Sequence, residues 1–294
     1  MDEAIIIAIR GIGAGALYAL IAMSLNLIFN ATGVLNFAQG QLLVVAGVFT
    51  YLWSPGGLGP GSIQWWLAMV AVVAIVAAIA GVQGLLTLVP MRSAADQHSW
   101  IMTTIAASII MGAILVLVIG PRTVTVENHF SSVAVVGSRV PAVYFVLMAL
   151  AVAVWAGLRR YQKSTLNGLA LNALSQDLDA ARGAGVFTMR LQILSFVIAG
   201  GITALTGFVG GHVVEVSESQ ALHYVVFGFI VAVIGGIGNN TGALVAGPMF
   251  GVLLMYASFE FGGGTQIPVA MLAIVGVLML KPQGLLGRSH ARRV

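Results

Sequence analysis

The chain of 294 residues offers nine carboxylates, five histidines and no cysteine for chemistry. All nine acids, Asp2, Glu3, Asp96, Glu127, Asp177, Asp179, Glu215, Glu218 and Glu260, fall in loops or at the ends of apolar runs. A carrier driven by protons or sodium usually needs an ionisable group deep in the bilayer, and this sequence places none there. His212 and His223 flank one loop and read as interfacial. No HExxH, metal-spaced histidine cluster or nucleophile elbow occurs, so no catalytic residue, metal or cofactor is expected. The nearest approach to a phosphate loop runs from Gly157 to Ser164. It has Gln162 where the second glycine belongs, and it follows an apolar run instead of a strand. If ATP is used, a separate subunit hydrolyses it.

The side chains that could hold a solute are amides and hydroxyls gathered at two interruptions. Residues 30–41 read NATGVLNFAQGQ, and residues 235–242 read GGIGNNTG. In a bilayer, backbone groups can be left open only where broken helices line a protected cavity, and matching interruptions in two halves point to a central pathway. Asn30, Thr32, Asn36, Phe37, Gln39 and Gln41 are therefore expected to line a translocation pathway, joined by Asn239 and Asn240. A pair of ordinary interfacial turns fits the same residues about equally well. The glycines of 11–16 (GIGAGA) read as close-packing positions between helices.

The elements that must position these groups are membrane helices. Hydrophobic residues make up 59% of the chain and charged residues 7%, against roughly a quarter charged in soluble domains. Disulfide and thiolate chemistry are excluded. The net charge of +4 is spread over loops between apolar runs, which reads as topology control and not as nucleic-acid binding. The acidic start, Asp2 and Glu3, lacks the basic region of a signal peptide, so the first apolar run is expected to remain as a span. With about 20 apolar residues per span, runs fall at 11–29, 40–53, 65–89, 100–119, 141–158, 191–211, 223–238, 242–258 and 267–280. The expected fold is an all-α polytopic bundle of about nine spans, eight to ten allowed, forming a single domain over 1–294. The runs 40–53, 223–238 and 242–258 are short and glycine-rich, so one or more is expected to be broken or re-entrant.

One long polar stretch, 159–190, divides the membrane halves. Leu166, Leu169, Ala170, Ala173, Leu174, Leu178 and Ala181 recur at three- and four-residue spacing, with Asn172, Gln176 and Asp179 on the other side. This predicts a short amphipathic helix, capped by Ser164 or Thr165 and ended by Gly183 and Gly185. With this stretch inside, alternation of spans puts Arg92, Arg159, Arg160, Lys163, Arg182, Arg190, Lys281, Arg288, Arg292 and Arg293 inside. Only Arg10, Arg122 and Arg139 are left outside. The C-terminus is then inside and, for nine spans, the N-terminus outside. Outside loops include the turn-rich 54–64 and 120–140, where TVTV and VAVV suggest short extended segments.

These residues resemble the inner-membrane permease subunits of branched-chain amino acid ABC transporters, a family that includes urea and amide permeases. GALYALIA at 15–22 with TGVLNFAQG at 32–40 looks like the family's N-terminal signature. AARGAGV at 180–186 is similar to its cytoplasmic coupling segment. IGGIG at 234–238 with Gly242 and Ala243 matches its glycine-rich late segment, and KPQGLLG at 281–287 its C-terminal end. The family often has histidine and an acidic residue where this chain has Gln39 and Gln41, and arginine where it has Asn172.

The resemblance implies a multi-pass protein of the bacterial plasma (inner) membrane, importing branched-chain or other amino acids or a related small solute. Its implied partners are a second permease subunit, two ATP-binding subunits and an extracytoplasmic solute-binding protein, besides membrane lipid; no nucleic acid is involved. ATPase coupling is expected at Leu169, Ala173, Leu174, Asp177, Leu178, Ala181 and Gly185. The other readings are a channel or facilitator for a small neutral solute such as urea, and a membrane enzyme with a hidden site.

Overall fold

The computed structural model describes residues 2–54, 64–91, 99–126, 130–135 and 137–287. Most of the 54–64 loop lies outside them, as do Arg92, Asp96, Glu127, Arg288, Arg292 and Arg293. The helices run in the order α1 (Asp2–Thr32), α2 (Gln39–Trp53), α3 (Trp65–Met91), α4 (Ser99–Ile119), α5 (Val143–Ser164), α6 (Leu166–Gln176), α7 (Leu178–Gly183), α8 (Thr188–Gly210), α9 (Ala221–Gly235), α10 (Asn240–Phe261) and α11 (Gln266–Leu280). A small antiparallel hairpin, β1 (Ser132–Val135) with β2 (Ser138–Pro141), precedes α5.

Runs of Ala, Val, Ile and Leu that are apolar on every face suit helices held among lipid and other helices. Eight helical stretches are long and apolar enough to cross a membrane: Glu3–Thr32, Trp65–Val89, Ile101–Ile119, Val143–Ser164, Thr188–Gly210, Glu218–Gly235, Asn240–Phe261 and Gly263–Leu280. The protein is an all-α polytopic bundle. Large apolar side chains such as Leu86, Leu117, Leu272 and Met279 stand exposed on α3, α4 and α11, which matches a lipid-facing surface.

The run expected to be short at 242–258 is a full helix of 22 residues, with Pro248 inside it. By contrast α2 has 15 residues, about 22 Å at 1.5 Å per residue, less than the roughly 30 Å hydrocarbon core. Its residues Gln39 to Val48 are all buried, as is Thr50, so this short helix is enclosed by protein along most of its length.

The chain divides into two compact units. The first takes in 1–26, 130–155 and 226–294. Here α1 and α10 meet along a seam of small residues: a Cβ added at Gly15 would fall on the Gly247 carbonyl, and one at Gly251 on the Gly11 carbonyl. The four-residue spacing of Gly11, Gly15 and Ala19 faces that of Gly247 and Gly251, so the two backbones touch directly. The packing role read for the first glycines is met. Beside the seam, Tyr18, Phe227 and Phe250 stack edge to face, with ring centroids 5.3 to 6.1 Å apart. Arg10 donates from Nη2 to the Arg139 carbonyl at 3.4 Å, which puts the start of α1 at the same end as the start of α5.

The second unit takes in 27–129 and 156–225. Its centre is α8, lying along α3 on one side and α2 on another. Gly200 lets α8 approach Ala77 and Ala80, and Gly207 lets it approach the Leu43 carbonyl. Of the two segments expected to be extended, VAVV supplies β1, and TVTV contributes an isolated bridge in which Val124 pairs with Val216.

Candidate functional site

Between α1 and α2 the chain leaves helical structure for six residues. Thr32 ends α1 by donating to the Ile28 carbonyl at 2.7 Å and accepting from the Val34 amide at 3.1 Å. The Asn36 side chain then accepts from the Ala38 amide at 3.1 Å, an Asx turn that starts α2. From there a closed amide network spreads through the second unit. Asn36 Nδ2 donates to Gln39 Oε1 at 3.0 Å and to Gln83 Oε1 at 3.1 Å, while Gln83 Nε2 returns a bond to Asn36 Oδ1 at 2.7 Å. Gln39 Nε2 donates to the Ala199 carbonyl at 3.1 Å and to Thr203 Oγ1.

Asn36, Gln39 and Thr203 are fully buried, and Gln83 nearly so. With every side-chain oxygen and nitrogen of the three amides engaged, the network ties the entry of α2 to α3 and α8. Satisfied networks of this kind fix a unique packing. Nothing in the apolar pattern named Gln83 or Thr203. The available signal was an amide standing alone in the interior of an otherwise apolar helix, which rarely faces lipid.

The remaining residues of the first interruption differ in exposure. Asn30, Thr32 and Phe37 are half-buried. Gln41 is 4% exposed, with Oε1 buried and without a hydrogen-bond partner, while its Nε2 lies 3.5 Å from Glu218 Oε1. An unsatisfied acceptor in such a place costs roughly 1–3 kcal/mol.

The second interruption is built as a helix cap. Asn239 Oδ1 accepts from the Thr241 and Gly242 amides at 3.0 and 3.2 Å, the pattern of an N-cap at the start of α10. Its Nδ2 donates to the Leu286 carbonyl at 2.7 Å. The C-terminal segment comes back to the same turn, with the Leu285 amide on the Ile234 carbonyl at 2.7 Å and the Leu286 amide on the Gly235 carbonyl at 3.2 Å. Gly236 (φ +101°) and Gly284 (φ +79°) sit back to back where a Cβ on either would strike the other segment's backbone. The two glycine-containing motifs at 234–243 and 281–287 are therefore one structure. Asn26 Oδ1 joins it by accepting from the Gly238 amide at 2.8 Å, and Asn240 Oδ1 is buried without a partner.

The 159–190 stretch forms two helices where one is expected. Thr165 caps α6 by accepting from the Gly168 amide at 3.0 Å, and Asn172 Nδ2 donates to the Gln162 carbonyl at 2.9 Å, folding α6 back along the end of α5. Asp177 takes extended backbone (φ −155°) and its Oδ1 accepts from the Ala180 amide at 2.9 Å. An aspartate that captures a backbone amide starts a new helix in preference to continuing the old one. Leu174 and Ala181 are turned inward, each 5% exposed. Leu169, Ala173, Asp177 and Gly185 are exposed, and Leu178 is half-buried. With Leu166 87% exposed and Phe187 70% exposed, the outward apolar row is Leu166, Leu169 and Ala173, with Phe187 further along. Arg190 lies over the Phe187 ring, 5.0 Å from its centroid.

The profile of the family described as branched-chain amino acid transport system / permease component matches residues 7–280. The chain is similar to the high-affinity branched-chain amino acid transport system permease protein LivH of Salmonella typhimurium, at 27% identity over 97% of this chain and 96% of that one. It is similar to LivH of Escherichia coli at 26% identity with the same coverage. The corresponding BraD protein of Pseudomonas aeruginosa is 22% identical, again over 97% and 96% of the two chains. Among solved structures, PsaBC from Streptococcus pneumoniae in complex with Fab shares the fold, with a TM-score of 0.50 at 14% identity, covering 93% of this chain and 91% of that chain. With residues 7–280 of its 294 inside the match, this chain belongs to the branched-chain amino acid transport system permease component family.

Proposed function

We propose that the chain is the permease subunit of an ATP-driven importer for branched-chain or other amino acids, or a related small amide or acid. ATP is hydrolysed by two separate subunits, a second permease chain completes the membrane pathway, and an extracytoplasmic binding protein delivers the solute. The observation that carries this reading is the exposed apolar row on α6, Leu166, Leu169 and Ala173, beside the basic end of α5 with Arg159, Arg160 and Lys163. An apolar row at three- and four-residue spacing on a short exposed helix fits insertion into a groove of a soluble subunit. Leu174, Leu178 and Ala181 hold α6 and α7 to the membrane helices, so that movement of the row reaches α5 and α8.

The same reading sets 159–190 and the C-terminus on the cytoplasmic side of the inner membrane, as the distribution of Arg and Lys favours. The bond from Arg10 to Arg139 supports an N-terminus on the opposite side, because it joins the start of α1 to the loop entering α5. Five crossings then precede 159–190, and the short α2 is one of them. In this scheme 1–294 acts as one permease domain. The pathway is assigned to the first interruption, where Asn36 and Gln39 hold α2 in place while Asn30, Thr32, Phe37 and Gln41 face the solute; Asn239 and Asn240 serve the cytoplasmic end.

Co-purification tests the coupling assignment. Leu169→Asp is expected to abolish association with the ATPase subunit and ATP-dependent uptake while the protein remains inserted and monodisperse. Truncating a buried interface anchor typically costs more than about 1 kcal/mol. A complex that survives Leu169→Asp and Leu166→Asp together, with uptake intact, removes α6 as the coupling element.

A further inference from the structure

We infer that the end of α5 leading into α6 is a binding site for an anionic phospholipid, with the phosphate on Arg159, Arg160 and Lys163 and an acyl chain along the helix face that precedes them. Ala149, Val152, Ala156, Arg159 and Lys163 follow one another at alternating three- and four-residue spacing, and all five are exposed. That spacing keeps them on one face of the helix, and Arg160, also exposed, stands beside the row. The face is small and apolar over its first three positions and then carries three positive charges in quick succession. A Cβ added at Gly157 would meet nothing within 4 Å, so the flank between the two parts is open as well.

Helix length sets the depth of the charges. The span Val143–Ser164 has 22 residues, about 33 Å at 1.5 Å per residue, against a hydrocarbon core of roughly 30 Å. Its last turn reaches the headgroup layer, and Arg159 and Arg160 extend toward that layer on their apolar stems. No Asp or Glu occurs from Val143 to Gln176, so neither α5 nor α6 offers the cluster a carboxylate. Like charges three and four residues apart on a helix repel. A phosphodiester supplies the opposite charge: a guanidinium fork takes two of its oxygens, and the Lys163 ammonium adds a point charge. Phosphatidylcholine carries a cation beside its phosphate, which this cluster repels, so a headgroup of net negative charge is preferred.

The packing of α6 keeps this face apart from the apolar row on that helix. A Cβ at Gly168 would strike the Tyr161 carbonyl, and Asn172 Nδ2 donates to the Gln162 carbonyl at 2.9 Å. α6 thus covers the side of α5 that holds Tyr161 and Gln162, both half-buried, and leaves Arg159, Arg160 and Lys163 exposed. The basic face continues an apolar row that faces lipid, which favours a lipid over a soluble subunit as its occupant.

The test is native mass spectrometry of the full chain in detergent, titrated separately with phosphatidylglycerol and with phosphatidylcholine of the same acyl chains at low ionic strength. Phosphatidylglycerol is expected to bind at least about tenfold more tightly. Arg159→Gln, Arg160→Gln and Lys163→Gln together are expected to bring it to within about twofold of phosphatidylcholine, whereas Arg159→Lys with Arg160→Lys keeps most of the preference. Arg182→Gln with Arg190→Gln removes two other exposed charges and is expected to leave the preference at the wild-type value. Equal affinity for the two lipids in the wild-type chain, or an unchanged preference in the triple variant, overturns the site. An equal loss in the Arg182 and Arg190 variant does the same, because it marks general attraction to the whole charged end. If the triple variant keeps its lipid preference but no longer co-purifies with the ATPase subunit, the face belongs to a soluble partner and not to lipid.

Discussion

Gln39 shows how one side chain can carry two readings with different measurable consequences. It bonds Asn36, the Ala199 carbonyl and Thr203 from a fully buried position. Gln39→Leu leaves those partners without it, and each stranded buried group costs about 1–3 kcal/mol. The expected outcome is a lower midpoint in thermal or denaturant unfolding in detergent, with solute affinity of the folded fraction unchanged. Unchanged stability with a lost solute response contradicts the structural role and returns Gln39 to the pathway. Gln41, four residues on, predicts the reverse. Gln41→Leu removes an unsatisfied acceptor, so stability is expected to hold or rise while leucine affinity falls; a loss of stability of more than about 1 kcal/mol, the worth of a typical hydrogen bond, contradicts it.

At the scale of elements, α1 and α10 depend on contact between backbones. Gly247→Leu drives a side chain into the Gly15 carbonyl and Ala19. Overpacking of this kind costs typically 1–3 kcal/mol, so lower stability and poor yield of the folded protein are expected. A variant as stable as the parent shows that the seam is looser than drawn. The glycines of α1 were legible as packing positions because small residues at four-residue spacing have that use in membranes. Their partners Gly247 and Gly251 were not, because pairing across more than two hundred residues leaves no trace in local spacing. In the same way, Asn240, Thr241 and Gly242 read as an interruption that shortens a span, whereas Asn239 caps a helix beginning at Asn240. Polarity at a span end does not distinguish a cap from a break. Asp177 misled in the other direction: the apolar spacing runs through it, but its side chain captures the Ala180 amide and divides α6 from α7.

At the scale of the whole molecule, composition and apolar run length were enough for an all-α membrane bundle, since few other structures satisfy every backbone group in lipid. The amide network was half legible. Asn36 and Gln39 stood out as polar residues between apolar runs, but their partners Gln83 and Thr203 lie in other helices of ordinary apolar pattern. The isolated bridge between Val124 and Val216 joins two segments nearly a hundred residues apart, which no motif connects. What the chain does is tested most directly by uptake into proteoliposomes holding this chain, the second permease chain, the ATPase subunits and the binding protein, using radiolabelled leucine with and without ATP. Accumulation against a gradient that requires ATP and every subunit is expected, and none by this chain alone. Equally fast, downhill, ATP-independent entry through this chain by itself would identify a facilitator and contradict the importer.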